Sequence, residues 1–311
     1  MNISKNSWGY YLLAFIATFL WGSAFAGAKI GFEYMPPMML SGVRFSLAGL
    51  MLIPMIFATR IDWRGEIKAH WRFMLLFGFI QSFLQYGIFY MGLNLVPGAI
   101  SAIIVGSGPL FVTVMAHLTL KNDKLNSRTI FAVLLGLAGV VSISLTGEQI
   151  ATSEHFYLGV ALLIISNLIG SYTNIMVVKH GAGLTSTMLT MASNLSGGVM
   201  LFLTSLFVEP TEVLHHALPL EFYLALLWLA IIPAAGFSIW YYLLSLPGVK
   251  VSELNVFKFI IPITGVTLSW LLLPNEYPTW GTLLGITIII AAMFVLQFPV
   301  IRTAISSHKK R

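Results

Sequence analysis

Ten runs of roughly 20 apolar residues follow one another along this chain, joined by connections too short to form a soluble domain. They are 9–30, 36–58, 72–94, 97–119, 128–146, 156–178, 185–208, 221–245, 249–273 and 279–299. A helix of that length crosses the hydrocarbon core of a bilayer. Hydrocarbon cannot satisfy an open backbone, and the runs are too long for barrel strands. The expected fold class is an all-α integral membrane protein with ten transmembrane helices. Composition agrees: 58% of the 311 residues are hydrophobic and 9% are charged, against about 25% charged in soluble domains. Lys5, the first apolar run and Ser23-Ala24-Phe25-Ala26 imitate a cleavable leader. The run continues through that site to Ile30 and no polar segment follows, so it is read as the first helix.

The net charge of +6 raises the question of nucleic acid, which the placement of the charges answers in the negative. Fourteen of the 17 Lys and Arg fall in alternate connections and at the two ends. They are Lys5, Arg60, Arg64, Lys68, Arg72, Lys121, Lys124, Arg128, Lys179, Lys250, Arg302, Lys309, Lys310 and Arg311. The other connections hold none of these and carry Glu33, Glu148, Glu154, Glu209, Glu212 and Glu276. By the positive-inside rule both termini are expected in the cytoplasm, with the chain in the inner or plasma membrane.

The chain is also similar to itself. A shift of 150 residues puts Lys29 on Lys179, Met38 on Met188 and Pro97-Gly98 on Pro247-Gly248. After a three-residue slip, Pro109 falls on Pro262 and Asp123 on Glu276. The expected units are 8–147 and 156–299, five helices each, followed by a basic tail over 300–311. Five is odd, so the second unit is inverted relative to the first. Inverted repeats are a common transporter plan, with a midplane site between halves that rock. A duplication that only builds a stable bundle is the competing reading.

Ionisable side chains inside a span are costly and are candidates for function. Lys258 lies about 13 Å into the ninth run at 1.5 Å per residue. An ammonium there needs a wet cavity, a carboxylate or helix carbonyls. It either binds an anionic group of a substrate or is tied to carbonyls at a broken helix end. Arg44, about 12 Å into the second run, needs a lasting partner because it keeps its proton. It is a second anion contact or a strut between helices, and its repeat mate is Asn194. Glu253 is a candidate for coupling or gating, and Lys29 is expected to reach towards Glu33. Trp21, Gln81, Gln85, Tyr86, Tyr90, Asn167, Ser171, Tyr172, Asn174, Trp240 and Tyr241 complete a plausible cavity. From these the expected substrate-binding set is Lys258, Arg44, Trp21, Gln85, Tyr86, Tyr172, Asn194 and Trp240. Pro54, Pro109, Pro233 and Pro262 are expected to bend helices and free carbonyls.

Trp21-Gly22-Ser23-Ala24-Phe25 with Lys29, Pro36-Pro37 with Arg44-Phe45, and Phe257-Lys258-Phe259-Ile260-Ile261-Pro262 with Leu273-Pro274-Asn275-Glu276 resemble the EamA-type members of the drug/metabolite transporter superfamily. The resemblance spans nearly the whole chain. It implies ten helices, a central cavity open to one side at a time, and export or exchange of small metabolites such as amino acids or organic anions. Departures are Asp123 where the family often has Glu, and Ala132 where Gly is usual. The sugar-phosphate translocators carry a similar lysine followed by an arginine. Here Phe259 follows Lys258, which argues against a doubly basic phosphate site.

Other classes fare worse. There is no Cys, and the His residues lie in loops or at helix ends. No HExxH, GxSxG or paired-carboxylate motif is present, so an enzyme, a metal site or a cofactor is not expected. With no P-loop, transport is driven by a gradient or by exchange. A non-transporting receptor or scaffold would not need Lys and Arg around a cavity. The expected partners are a small-molecule substrate and the lipid bilayer, with no nucleic acid, and the chain is a monomer or weak homodimer.

Overall fold

The computed structural model describes residues 7–59, 61–119, 127–146, 155–210, 217–249 and 251–308. Among the described residues there is no strand. The first three crossings are α1 (Trp8–Phe32), α2 (Pro37–Ala58), and a composite of α3 (Trp63–Gly78), a π-helical segment (Phe79–Gln85) and α4 (Tyr86–Leu95). Next come a broken pair, α5 (Gly98–Gly106) and α6 (Gly108–Thr119), and then α7 (Ser127–Thr146). The second half runs through α8 (Phe156–His180), α9 (Ser186–Val208) and α10 (Leu220–Ser245). It continues with α11 (Val251–Asn255), a 3₁₀ turn (Val256–Phe259) and α12 (Ile260–Leu272), and ends with α13 (Trp280–His308). These make ten crossings. The third begins at Trp63 rather than near 72, because the basic stretch holding Arg64, Lys68 and Arg72 continues the helix beyond the apolar run. Likewise α13 continues to His308, through most of the segment read as a tail.

The inverted repeat is visible in which helices touch. Equivalent crossings of the two halves pack on one another: α2 on α9, the fourth crossing on the ninth through α5 and α12, and α7 on α13. The remaining contacts come in mated pairs, so that α1 packs on α10 as α8 packs on α4, and α1 on α12 as α8 on α6. Each half thus fills the same role from the opposite side of the membrane.

Lipid tails are as apolar as Leu, so these helices associate through close packing rather than a hydrophobic drive. Small residues permit it. A Cβ at Gly22 would lie 2.6 Å from Thr264 Cβ, and one at Gly106 would run into the Pro262 ring. Gly42, Gly49 and Gly198 let the α2 and α9 backbones meet. The outward faces carry large apolar residues such as Phe207, Leu271 and Trp280, which suits lipid.

Three of the helices deviate near mid-membrane. The fourth crossing breaks at Ser107, just before Pro109, and the ninth narrows to a 3₁₀ turn before Pro262. The third widens into its π segment, where Gly197 of α9 comes close to the Gly78 carbonyl and Ser82. Pro54 and Pro233 lie inside α2 and α10 without ending them.

A cationic cavity at the junction of the halves

The two broken crossings and the π segment converge on one cavity of about 840 Å³, its mouth included. Walls come from α1, α2, the π segment, α4 and the α5–α6 break in the first half, and from α8, α10 and the 3₁₀ turn in the second.

Lys258 sits in the 3₁₀ turn, where the helix is tightest. Its Nζ lies 5.2 Å from the Trp240 ring centroid and 5.8 Å from that of Trp21. The two indoles are themselves 5.0 Å apart. This is a cation–π arrangement, in which the ring faces stabilise a charge removed from water. Trp240 is held by donating its Nε1–H to Asn174 Oδ1 at 2.8 Å. Trp21 fits against Gly236, where a Cβ would stand 2.9 Å from the indole Nε1.

Arg44 occupies the other end of an aromatic wall. Trp21 lies 5.5 Å from Phe237, and Phe237 lies 5.8 Å from Tyr86. The Arg44 guanidinium stands 4.6 Å over Phe45, 5.1 Å from Tyr90 and 5.7 Å from Tyr86. It donates to the Tyr90 hydroxyl and is only 2% exposed. No Asp or Glu is among the described residues that line the cavity. Four polar atoms of its lining are buried without a partner: Trp21 Nε1, Arg44 Nε, Gln85 Oε1 and the Tyr241 hydroxyl. Each costs about 1–3 kcal/mol until something bonds it.

The polar floor comes from α8. Asn167 donates to the Ile104 carbonyl at 2.7 Å, which the break at Ser107 leaves accessible, and the Ser107 hydroxyl donates to the same carbonyl at 2.6 Å. Gly170 makes room for Gln85, whose Nε2 would lie 2.6 Å from a Cβ there.

Of the residues named from sequence, Lys258, Arg44, Trp21, Gln85, Tyr86 and Trp240 share this cavity. Tyr172 does not. The α8 residues that line it are Ser166, Asn167, Gly170, Ser171 and Asn174, and Tyr172 is turned away from that stripe and 43% exposed. Asn194 is not brought there either. It is fully buried on α9, the helix clamped against α2, with neither amide atom bonded. The side chain of Glu253, on α11, lies outside the described residues. Lys29 donates to the Asn94 carbonyl at 3.4 Å and not to Glu33. Phe25, Phe89 and Phe237 also line the cavity; as apolar residues in apolar runs, they carried no signal that set them apart.

Fold and site together define the class: a multi-pass α-helical membrane protein with two inverted halves and a cavity where they meet. The chain belongs to the EamA-like transporter family, whose model matches it twice, over residues 8–145 and 157–298. It is a membrane transporter of that family. It is 26% identical over 294 residues to an Escherichia coli (strain K12) protein named "Probable amino-acid metabolite efflux pump", covering 92% of this chain and 94% of that one. It is 25% identical over 287 residues to the Bacillus subtilis (strain 168) "Uncharacterized transporter YvbV", covering 92% and 90%. A solved crystal structure shares the fold, with a TM-score of 0.71 at 19% identity, over 95% of this chain and 98% of that one.

Proposed function

We propose that the chain is a secondary-active exporter or exchanger of small metabolites, amino acids or organic anions, working by alternating access. The units 8–147 and 156–299 rock about their shared cavity, which opens to one side at a time. The observation that carries this reading is the placement of Lys258. A cation at the broken middle of one helix faces a cavity walled by both halves, and a purely structural charge has no need of such a setting. Lys258 takes the anionic group of the substrate, and Trp21, Gln85, Tyr86 and Trp240 enclose its body. Arg44 lends positive potential from the far end. Both termini are cytoplasmic, in the inner membrane, on the strength of the charge asymmetry. The name of the Escherichia coli relative supports efflux of amino-acid metabolites as one choice of cargo.

Uptake and counterflow in proteoliposomes test this, with a panel of amino acids, organic acids and sugar phosphates, run with and without a pH gradient. Transport of at least one panel member above protein-free vesicles is expected. Lys258→Ala is expected to reduce that rate at least about tenfold, as loss of a charge-assisted contact in a dry site does. No movement of any panel member under any gradient would sink the proposal.

A further inference from the structure

We infer that the cavity selects organic anions that carry no positive charge, with a carboxylate at Lys258 and an aromatic or branched apolar body along the wall from Trp21 to Tyr86. The inference rests on the transport reading above and narrows its cargo: the zwitterion of the same skeleton is rejected.

Charge decides first. The cavity presents the Lys258 ammonium and the Arg44 guanidinium, with no Asp or Glu among its described lining residues. A substrate carboxylate supplies the missing countercharge. An α-ammonium, two bonds from that carboxylate, is carried close to the Lys258 ammonium, with no protein anion among the described lining residues to offset it. In a site shielded from water, such like-charge contact is a strong discriminator. The ring faces that stabilise a cation are already engaged: Trp21 and Trp240 by Lys258, and Phe45, Tyr86 and Tyr90 by Arg44.

Shape decides next. The two cations stand at opposite ends of a wall of rings spaced 5.5–5.8 Å apart, from Trp21 through Phe237 to Tyr86. Phe237 is a fully apolar body in that wall, so the stretch between the cations favours a ring or branched chain over a hydrated polyol. At the Arg44 end the buried, unbonded Nε–H offers a second donor to a substrate that ends in a carbonyl or hydroxyl oxygen.

Three probes built on one phenylethyl frame separate the effects: 3-phenylpropionate, phenylalanine and phenethylamine, which are anion, zwitterion and cation at neutral pH. Their binding to the purified full-length protein is measured by isothermal titration calorimetry. The expected result is 3-phenylpropionate binding on the order of tenfold or more tighter than phenylalanine, with phenethylamine weakest. Lys258→Met, which keeps the apolar stem, is expected to erase that order, and Lys258→Arg to keep it. Phenylalanine binding as tightly as the acid overturns the inference; a Glu253 carboxylate turned into the cavity would produce that result. Absence of 3-phenylpropionate binding in the wild-type protein overturns it as well. Neither outcome touches the transport reading, which stands or falls on the proteoliposome panel.

Discussion

Among single residues, Arg44 shows how an intramembrane charge is kept with no carboxylate among the described residues that line its cavity. The guanidinium stacks on Phe45, bonds the Tyr90 hydroxyl and lies near the ring of Tyr86. Residue type alone left two roles open for it, strut and anion contact. In the structure Arg44 ties α2 to α4 through Tyr90, and it also stands in the cavity lining. Tyr90→Phe keeps the ring and removes only the acceptor. One buried N–H of a charged group is then left unbonded, at a cost of about 1.5–3 kcal/mol. A lower melting temperature in detergent is the expected outcome, and an unchanged one would show that the bond contributes nothing.

Helix ends are the weak points at the scale of elements, since each leaves backbone N–H groups without partners. Two of them are satisfied by carboxylates from the other half. Glu209 accepts from the Met38 and Met39 amides at 2.8 Å, and Glu276 accepts from those of Gly98 and Ala99, the latter at 2.8 Å. On the opposite face Glu66 accepts from the Thr185 amide at 3.0 Å, at the start of α9. Glu209 is the residue that ends α9 and Glu66 lies in the first turn of α3, so each carboxylate reaches the start of one helix of the α2–α9 pair. A charged acceptor at a helix N-terminus gains from the helix dipole as well as the bonds. Glu209→Gln and Glu276→Gln each keep one oxygen and lose one acceptor and the charge. Each is expected to destabilise the protein by about 1–2 kcal/mol, read as a drop in melting temperature that the double variant roughly doubles. No loss in either variant would remove these carboxylates from the account of how the halves hold together.

For the whole molecule, alternating access requires contacts between the halves at one face to separate during transport. Tyr34, after α1, donates its phenol to Glu221 at the start of α10. That bond holds the Tyr34 pKa above its ordinary value. The chain has no cysteine, so thiols placed at Tyr34 and Glu221 are the only ones in the Tyr34→Cys/Glu221→Cys variant. Joining them with a short bifunctional thiol reagent is expected to stop transport in proteoliposomes, while either single substitution with the same reagent leaves it running. Full transport by the cross-linked protein would mean that this face does not open.

The sequence by itself determined the ten crossings, their inversion and the presence of costly charges at mid-depth. Run length is measured against a fixed bilayer thickness, and Lys258 is conspicuous in any apolar segment. Six of the eight proposed binding residues reach one cavity because unusual residue types in a span are legible one at a time. Only the tertiary structure decided the rest. Tyr172 and Ser171 are neighbours in sequence, yet one faces outward and the other lines the cavity. Asn194 is as polar as Asn174, yet α9 is clamped against α2 and Asn174 reaches Trp240. The break at Ser107 and the 3₁₀ turn at Lys258 fall just before Pro109 and Pro262, where bends are expected, whereas the π segment lies where Gly197 of α9 approaches the Gly78 carbonyl and Ser82. Depth in the membrane is a property of a segment. Which way a side chain faces is settled by what packs against that segment, and this is why the charges could be found from sequence and the cavity could not.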